Sequence, residues 1–332
     1  MRLMMLIATT DAEYAVLLSD YISEHHADTI EVSVCSTLEC LNEVLPKQRF
    51  DVALMDKSMV EAADKSSIKQ PMLLRVENEA AVDTPDMESV CKYQRISSII
   101  ASVLERYARV SKNRISSDSR NTNITAVWSP TGGVGKTTVA LAYAMSKVSE
   151  ETEVFYLNLE TFSSQSGYFC ESGKSISVVF EMLDSHEGDV KMLIQGICCR
   201  ESGITYLCSP SNYDDICILS SEDVKELVTS CAQLADELVI DMSSVCDKLT
   251  RQIFDIADKV LIITEPTLTA RTKMIQFATQ NDVFESIKEK IILVANKGAE
   301  IHSPIVETAV FLPYVQSGNA IDVYKTLSKS NF

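Results

Sequence analysis

Basic side chains are scarce in this chain, and their shortage limits which partners the protein can have. The 332 residues include 30 Lys and Arg against 47 Asp and Glu, which gives a formal net charge of −17. Duplex DNA and anionic membranes repel such a protein unless it carries a local basic patch. The densest basic stretch, residues 106–120, is polar and typical of a solvated linker. We therefore expect no specific nucleic-acid partner.

Long apolar runs and metal-binding cysteine pairs are also missing. No apolar stretch reaches the roughly 18 residues that span a bilayer, so no transmembrane segment is predicted. The first ten residues lack a small-residue cleavage site and are interpreted as a buried strand rather than a secretory signal. The 10 Cys include no C-x-x-C pair and no zinc-type His/Cys spacing, which is typical of reduced thiols. These absences predict a cytoplasmic protein.

The chain does have a repeated alternation of strand-length apolar runs and helical periodicity. Such alternation predicts parallel sheets covered by helices on both faces. In residues 1–107 the apolar runs lie at 3–8, 30–35, 51–55, 72–76 and 90–93, which predicts a flavodoxin-like, receiver-like domain. Polar residues 108–122 predict a linker, and residues 123–332 repeat the alternation in a larger α/β domain. The strands predicted there lie at 124–128, 154–159, 204–208, 237–241, 260–264 and 291–295, and the helices at 136–148, 177–183, 222–234, 268–279 and 320–327.

The stretch SPTGGVGKTT, residues 129–138, has the composition of a phosphate-binding loop between a strand and a helix. Glycines let the backbone turn tightly and aim N–H groups at an anion, and the positive end of the helix adds to their effect. Lys136 offers a cation for the β- and γ-phosphates, Thr137 a hydroxyl for Mg²⁺, and Thr138 a contact to the α-phosphate. The predicted nucleotide-binding residues of this P-loop NTPase domain are Thr131, Gly132, Gly133, Val134, Gly135, Lys136, Thr137 and Thr138.

Two acidic residues at the ends of predicted strands complete the predicted catalytic site. Asp241 ends one apolar run, where a carboxylate can hold Mg²⁺ through water. Glu160 follows another run and can orient a water for attack on the γ-phosphate, whereas the amide of nearby Asn158 cannot act as a base. The predicted catalytic residues are Lys136, Glu160 and Asp241, and the predicted Mg²⁺ residues are Thr137 and Asp241.

The predicted contacts to the nucleoside come from the end of the chain. Asn296 and Lys297 lie just past a predicted strand, and an Asn amide can both donate to and accept from an adenine edge. Pro313 belongs to the segment FLPYVQSG, which is predicted to close over the base and ribose. These three residues are the predicted adenine-side contacts.

The motifs resemble the MinD/ParA group of P-loop ATPases, whose loop reads K-G-G-x-G-K-[ST]. TGGVGKTT matches that pattern except at its first position, where Thr131 stands in place of Lys. VLIITEPTLTA, residues 260–270, is similar to the strand–turn segment of the group. GITYLCSPSNYDDICILSSEDVKELV, residues 203–228, resembles the CpaE/TadZ branch, which also has a receiver-like domain ahead of its ATPase domain.

The resemblance implies ATP and Mg²⁺ as cofactors and a homodimer with ATP held between two subunits. It further implies a localisation factor that marks a cell pole through protein partners of the Flp (tight-adherence) pilus or secretion assembly. In the group, the first Lys of the loop reaches the phosphates of the partner subunit. Because Thr131 lacks that charge, we expect at most weak ATP hydrolysis.

Other functions of the same loop type stay open at this point. A DNA-binding partition ATPase is disfavoured by the net charge of −17. A septum-site regulator would end in a basic amphipathic helix, which AIDVYKTLSKSNF does not resemble. A tyrosine autokinase would end in a tyrosine cluster, and a small-molecule enzyme would need a second substrate pocket, for which the sequence gives no pattern.

The predicted receiver-like domain has only part of the residues that phosphorylation requires. Asp56 takes the place of the phosphorylated Asp and Lys92 that of the receiver lysine. Thr9 and Thr10 stand where an acidic pair is expected, with Asp11 one position later. Since Mg²⁺ needs hard oxygen ligands at fixed geometry, we predict a pseudo-receiver used for docking or dimerisation.

Overall fold

The structure is a computed structural model that describes residues 2–27, 29–76, 87–110, 121–298 and 309–332. The chain divides into two compact units, Met1–Ser111 and Lys112–Phe332. Each unit is built around its own parallel or mostly parallel sheet. Within the described ranges, no helix is long and apolar enough to cross a membrane.

The first unit contains a five-stranded sheet in which all neighbouring strands are parallel. Its strands are β1 (Leu3–Ala8), β2 (Ile30–Cys35), β3 (Phe50–Met55), β4 (Ile68–Arg75) and β5 (Ser89–Cys91). Its helices are α1 (Ala12–His25), α2 (Leu38–Val44), α3 (Lys57–Ala62) and α4 (Ile96–Val110). The order β2-β1-β3-β4-β5 is the flavodoxin-like order. Receiver-like character beyond this topology stays a prediction.

Three details of the first unit differ from the sequence expectation. The helix α3 was not predicted, because six residues are too few to show a helical period. Strand β4 begins at Ile68, earlier than the predicted run at 72–76. Helix α4 continues to Val110, so the predicted linker at 108–122 begins inside a helix. Residues 111–120 of that predicted linker lie outside the described residues.

The second unit contains an eight-stranded sheet that is parallel except at one edge. Its order is β13-β12-β11-β6-β10-β7-β9-β8, and the edge strand β8 pairs antiparallel with β9. The strands are β6 (Asn123–Trp128), β7 (Val154–Leu159), β8 (Cys199–Glu201), β9 (Ile204–Tyr206), β10 (Glu237–Met242), β11 (Lys259–Thr264), β12 (Ile291–Ala295) and β13 (Ala309–Phe311). The helices are α5 (Lys136–Lys147), α6 (Ser177–Ser185), α7 (Val190–Ile197), α8 (Ser221–Ala232), α9 (Lys248–Ile256), α10 (Leu268–Ala278), α11 (Asn281–Ile287) and α12 (Ala320–Leu327).

The predicted α/β class with a mostly parallel sheet is confirmed, but several elements of the second unit were not predicted. They are β8, β13, α7, α9 and α11. The two strands are three residues long, too short for a pattern. Helix α9 reads KLTRQIFDI and buries only Thr250, Ile253 and Phe254, so its apolar face is narrow.

The strand order gathers the predicted site residues at the carboxyl ends of the central strands. Central β6 lies between β10 and β11, and β10 also pairs with β7. In this register Asp241 lies level with Val127 of β6 and Asn158 of β7. Because parallel strands all point the same way, the segments that follow them meet at their carboxyl ends. Helix α5 begins at that edge and packs most of its length into the core.

Candidate functional site

The loop between β6 and α5 adopts backbone conformations that favour glycine. Gly133 has φ +76° and Gly135 has φ +91°, both in the left-handed region. A Cβ on Gly135 would lie 2.6 Å from the side-chain Nδ2 of Asn296, so glycine is also required by the close packing there. The turn delivers the chain directly into the first turn of α5 at Lys136. The loop therefore presents backbone N–H groups and a helix N-terminus in one place.

Lys136 and Thr137 are both buried and both contact one carboxylate. Lys136 Nζ donates to Ser244 Oγ at 3.0 Å and lies 3.4 Å from Glu160 Oε1. Thr137 Oγ1 donates to Glu160 Oε2 at 3.2 Å. The structure thus brings together three of the predicted residues, which are 24 positions apart at most along the chain (136 to 160). Ser244, just past β10, was not predicted.

Asp241 is a fully buried carboxylate with an incomplete set of partners. Its Oδ2 accepts a 2.8 Å hydrogen bond from the Tyr156 hydroxyl, whereas its Oδ1 has no hydrogen-bond partner among the described residues. Burial, and then the charge of Glu160, raise the pKa of Asp241 to about 7. The nearby Thr137 hydroxyl, the hydrogen bond from Tyr156 and the charge of Lys136 act in the opposite direction on this pKa. A buried oxygen of this kind is costly unless a ligand completes it.

The donor set fits Mg²⁺. Thr137 offers a hydroxyl, and Asp241 offers a carboxylate oxygen that no described residue satisfies; hard oxygen ligands of this kind are what Mg²⁺ prefers. In the part of the chain that is described, no cluster of three His, Cys, Asp or Glu side chains could hold a metal alone. The ion would therefore take its other ligands from nucleotide phosphates and water, as Mg²⁺ commonly does.

A chain of buried polar groups on β7 positions both acids. The Asn158 side chain donates to the Tyr156 hydroxyl at 3.0 Å, and its Oδ1 accepts from the Glu160 backbone N–H at 2.9 Å. Burial, and then the charge of Asp241, raise the pKa of Tyr156, so its hydroxyl keeps its proton and donates to Asp241. Tyr156 was not predicted as a site residue, although a Tyr inside an apolar strand does need a polar partner.

Thr131, at the position of the group's first Lys, turns its side chain into the protein. It is 6% exposed, and its backbone N–H donates to Ser129 Oγ at 3.1 Å. Its hydroxyl is buried and finds no hydrogen-bond partner within the described ranges. Farther along the loop, Val134 is fully buried in the core, and Thr138 shares a 2.8 Å hydrogen bond with the Tyr168 hydroxyl.

Asn296 and Lys297 lie against the phosphate loop. The Asn296 amide donates to the Val134 carbonyl at 2.8 Å, and Lys297 Nζ donates to the Gly133 carbonyl at 3.2 Å and to Glu265 Oε2 at 2.5 Å. Asn296 is buried, so its amide supports the loop backbone, a role that sequence reasoning did not predict. The exposed Pro313 follows Leu312, whose N–H donates to the Ala295 carbonyl at 2.8 Å. The adenine contacts of Asn296, Lys297 and Pro313 stay a prediction.

The first unit has a separate acidic site beside β1 and β3. Asp56 Oδ2 accepts from Thr9 Oγ1 at 2.5 Å, from the Thr10 N–H at 3.0 Å and from Thr10 Oγ1 at 3.3 Å. Lys92 Nζ lies 3.5 Å from Asp56 Oδ1, and it donates to Thr9 Oγ1 at 3.1 Å. Asp11 caps α1 and also lies 3.5 Å from Lys92. The two threonines thus donate three hydrogen bonds, two from hydroxyls and one from a backbone amide, to the same Asp56 oxygen.

Comparisons with known proteins identify the fold. No family model matches the sequence, and no curated protein matches it. A ParA family ATPase from Chlorobium tepidum TLS is similar in structure, with a TM-score of 0.52 and 17% identity over 64% of this chain and 94% of that chain. A putative plasmid partition protein from Borrelia burgdorferi B31 bound to AMPPNP gives 0.48 and 16%, over 64% and 92%. The septum site-determining protein MinD complexed with Mg-ADP from Pyrococcus horikoshii OT3 gives 0.47 and 12%, over 62% and 94%.

The likeness to the Chlorobium tepidum protein, at 17% identity, concerns the fold alone. The matched share is similar in size to the second unit, which contains the phosphate loop. The predicted MinD/ParA type of fold is thereby confirmed. The chain contains an α/β fold similar to that of the ParA family ATPase from Chlorobium tepidum TLS.

Proposed function

We propose that the second unit binds ATP with Mg²⁺ at the carboxyl edge of its sheet. The observation that carries this proposal is the pairing of a left-handed glycine loop at the start of α5 with a buried Asp241 oxygen that has no hydrogen-bond partner among the described residues. The loop N–H groups and Lys136 hold the phosphates, and Thr138 contacts the α-phosphate. Thr137 and Asp241 hold Mg²⁺, which neutralises phosphate charge when bound. Asn296, Lys297 and Pro313 form the base side.

Titration calorimetry tests this binding directly. Nucleotide-stripped full-length protein is titrated with ATP in excess Mg²⁺, and we expect saturable one-site binding. The absence of heat at any protein concentration that calorimetry can reach would reject the proposal. Identifying the nucleotide that co-purifies, by mass spectrometry, gives an independent reading, because slow turnover predicts ATP rather than ADP.

We also propose that ATP binding drives homodimerisation through the same edge of the sheet. Apolar side chains follow three of the strands there: Phe162 after β7 and Leu268 after β11 are each 81% exposed, and Val245 after β10 is 59% exposed. Contiguous exposed apolar groups mark interaction surfaces, and we propose that these three side chains belong to one such surface. Light scattering should show an ATP-dependent dimer that Leu268→Asp prevents. Ile275→Asp, on the same helix and 43% exposed, is the matched control.

Hydrolysis is expected to be slow or negligible. Thr131 is neutral and turned inward, so it offers no cation to a partner subunit, and such a cation can be worth several powers of ten in rate. We expect phosphate release below about one per second, and a higher rate in Thr131→Lys. A wild-type turnover above that value would contradict the expectation. With a turnover that high, the protein would act by switching between its ATP-bound and ADP-bound states.

The cellular role that we propose is a localisation factor for pilus or secretion machinery at a cell pole. Its support is the CpaE/TadZ-like segment at residues 203–228 and the succession of an α/β unit with flavodoxin-like order and an ATPase-type unit. A fluorescent fusion should form polar foci that the Lys136→Ala variant loses. A salt-dependent shift of plasmid DNA by the ATP-bound protein would instead favour the partition-type function.

A further inference from the structure

The Glu160 carboxylate occupies the groups that the proposed nucleotide site needs. Oε1 faces Lys136 Nζ at 3.4 Å, and Oε2 accepts from Thr137 Oγ1 at 3.2 Å. The Lys136 side chain is 8% exposed and that of Glu160 18%, so water screens this pair only partly. Phosphate oxygens entering the site would find Lys136 already paired with Glu160, and the negative charge of Glu160 would repel them.

Hydrogen bonds hold the backbone of Glu160 in place, so a shift of the backbone cannot carry its carboxylate away from Lys136 and Thr137. The Glu160 N–H donates to Asn158 Oδ1, and Asn158 is held in turn by the Tyr156 hydroxyl. Asn158 is only 5% exposed. A change in the contacts of Glu160 must therefore come from rotation of its own side chain.

Resting on the nucleotide-binding function proposed above, we propose that Glu160 is a charge gate that makes the site select magnesium-complexed over free nucleotide. Free ATP brings its full negative charge next to Glu160 and competes with it for Lys136 and Thr137. When Mg²⁺ is present, its two positive charges offset this repulsion. Glu160 thereby sets the ligand specificity of the site, in addition to its predicted role of orienting water.

The test is a pair of affinities for ATP, one in excess EDTA and one in excess Mg²⁺, at the same ionic strength. Glu160→Gln removes the charge and keeps the shape. We expect it to bind free ATP about tenfold more tightly than wild type, while its affinity for ATP with Mg²⁺ changes by less than about threefold. Titration calorimetry or the anisotropy of a fluorescent ATP analogue provides both values without a measurement of turnover.

Glu153→Gln is the matched control, because Glu153 immediately precedes β7 at the other end of the strand that Glu160 follows. It makes the same change in net charge, and its carboxylate pairs with Arg200 instead of the loop. Both of its affinities should stay at the wild-type values. Glu160→Ala serves as a second neutral variant if the Gln variant does not fold, and Glu160→Asp, which keeps the charge, should retain most of the magnesium preference.

The outcomes separate the gate from the function on which it rests. An unchanged or weaker affinity of Glu160→Gln for free ATP overturns the gate. The gate is also overturned if Glu160→Gln loses its magnesium preference only because it binds ATP with Mg²⁺ more weakly. An equal gain in Glu153→Gln also overturns it, because net charge alone would then explain the effect. If the wild-type protein binds no ATP under either condition, the proposed function fails and the gate fails with it.

Discussion

Each unit places an aspartate at the carboxyl end of a parallel strand, but the two carboxylates have very different surroundings. Asp56, after β3, has donors on both oxygens: Thr9 and Thr10 on Oδ2 and Lys92 near Oδ1. Asp241, near the end of β10, has one oxygen held by Tyr156 and one with no partner among the described residues. Both oxygens of Asp56 thus have neighbouring donors, whereas Asp241, although fully buried, has an oxygen that no described residue satisfies.

The difference shows how one topological position can hold either a structural group or a ligand. The donors on Asp56 Oδ2 and the Lys92 cation near Oδ1 compete with a metal ion, which would have to displace them. A buried carboxylate with an orphaned oxygen carries a desolvation cost that a cation can relieve. The local partners, and not the strand-end position itself, therefore distinguish the two sites.

The largest expected effect is a pH-dependent gain in the stability of the nucleotide-free protein when Asp241 is changed to Asn. The unfolded pKa of 3.8 rises to about 7 in the folded state, chiefly through burial. A raised pKa means that the folded state favours the protonated acid, so wild-type stability falls as the pH rises from about 4 to about 7. Relative to wild type, Asp241→Asn should gain stability over that range, by at most about 4 kcal/mol. Urea unfolding in EDTA at several pH values measures this, and a pH-independent difference would contradict it.

The next effect concerns the lysines of the two sites. Lys136→Ala should weaken ATP binding at least about a hundredfold, because a buried cation at the phosphates is lost. Lys92→Ala should leave ATP affinity unchanged, since the Asp56 site has no assigned part in nucleotide binding. Lys147→Ala, at the other end of α5, is the control for changes in that helix. Comparable loss in Lys92→Ala would remove the functional distinction between the two sites.

A smaller effect is expected for the hydroxyl groups that close the Asp56 site. Thr9→Val keeps the shape but removes the donor to Asp56 and the acceptor for Lys92, at a cost of about 1–2 kcal/mol. Thr10→Val removes an exposed and longer hydrogen bond and should cost less than about 0.5 kcal/mol. Hydrogen exchange of the β1 and β3 amides reports the stability of the first unit. Equal costs for the two variants would show that the buried hydroxyl has no special role.

The smallest expected effect is none at all. Acetyl phosphate with Mg²⁺ should leave the intact mass unchanged, because Thr9 and Thr10 stand where an acidic pair would hold the ion. Asp56→Asn supplies the reference for nonspecific transfer. A stoichiometric gain of one phosphate at Asp56 would show that the first unit is a working receiver.

Sequence reasoning succeeded where the signal is local. The strands β1, β2, β7 and β12 and the helix α12 were predicted with their observed limits, because apolar runs and helical periods lie within one segment. The glycine loop was recognisable for the same reason. Short elements such as β8 and β13 were missed, since three residues that gain stability from a neighbouring strand show no period of their own.

The contacts that shape the candidate site could not be read from any segment. Tyr156 looks like another apolar strand residue, but the pairing of β7 with β10 brings its hydroxyl to Asp241. Asn296 is distant in sequence from Val134, and the amide–carbonyl bond between them exists only because β12 and β6 lie on either side of β11.

The alternation of strands and helices, the glycine loop and the acids at the strand ends follow directly from the order of residues, because they depend on near neighbours in the chain. The folded arrangement brings the hydroxyls of Thr9 and Thr10 to Asp56, leaves one oxygen of Asp241 without a partner among the described residues, and places Glu160 opposite Lys136. Those properties depend on which strands become neighbours and on how far each carboxylate is removed from water. Burial and partner geometry belong to the folded chain as a whole.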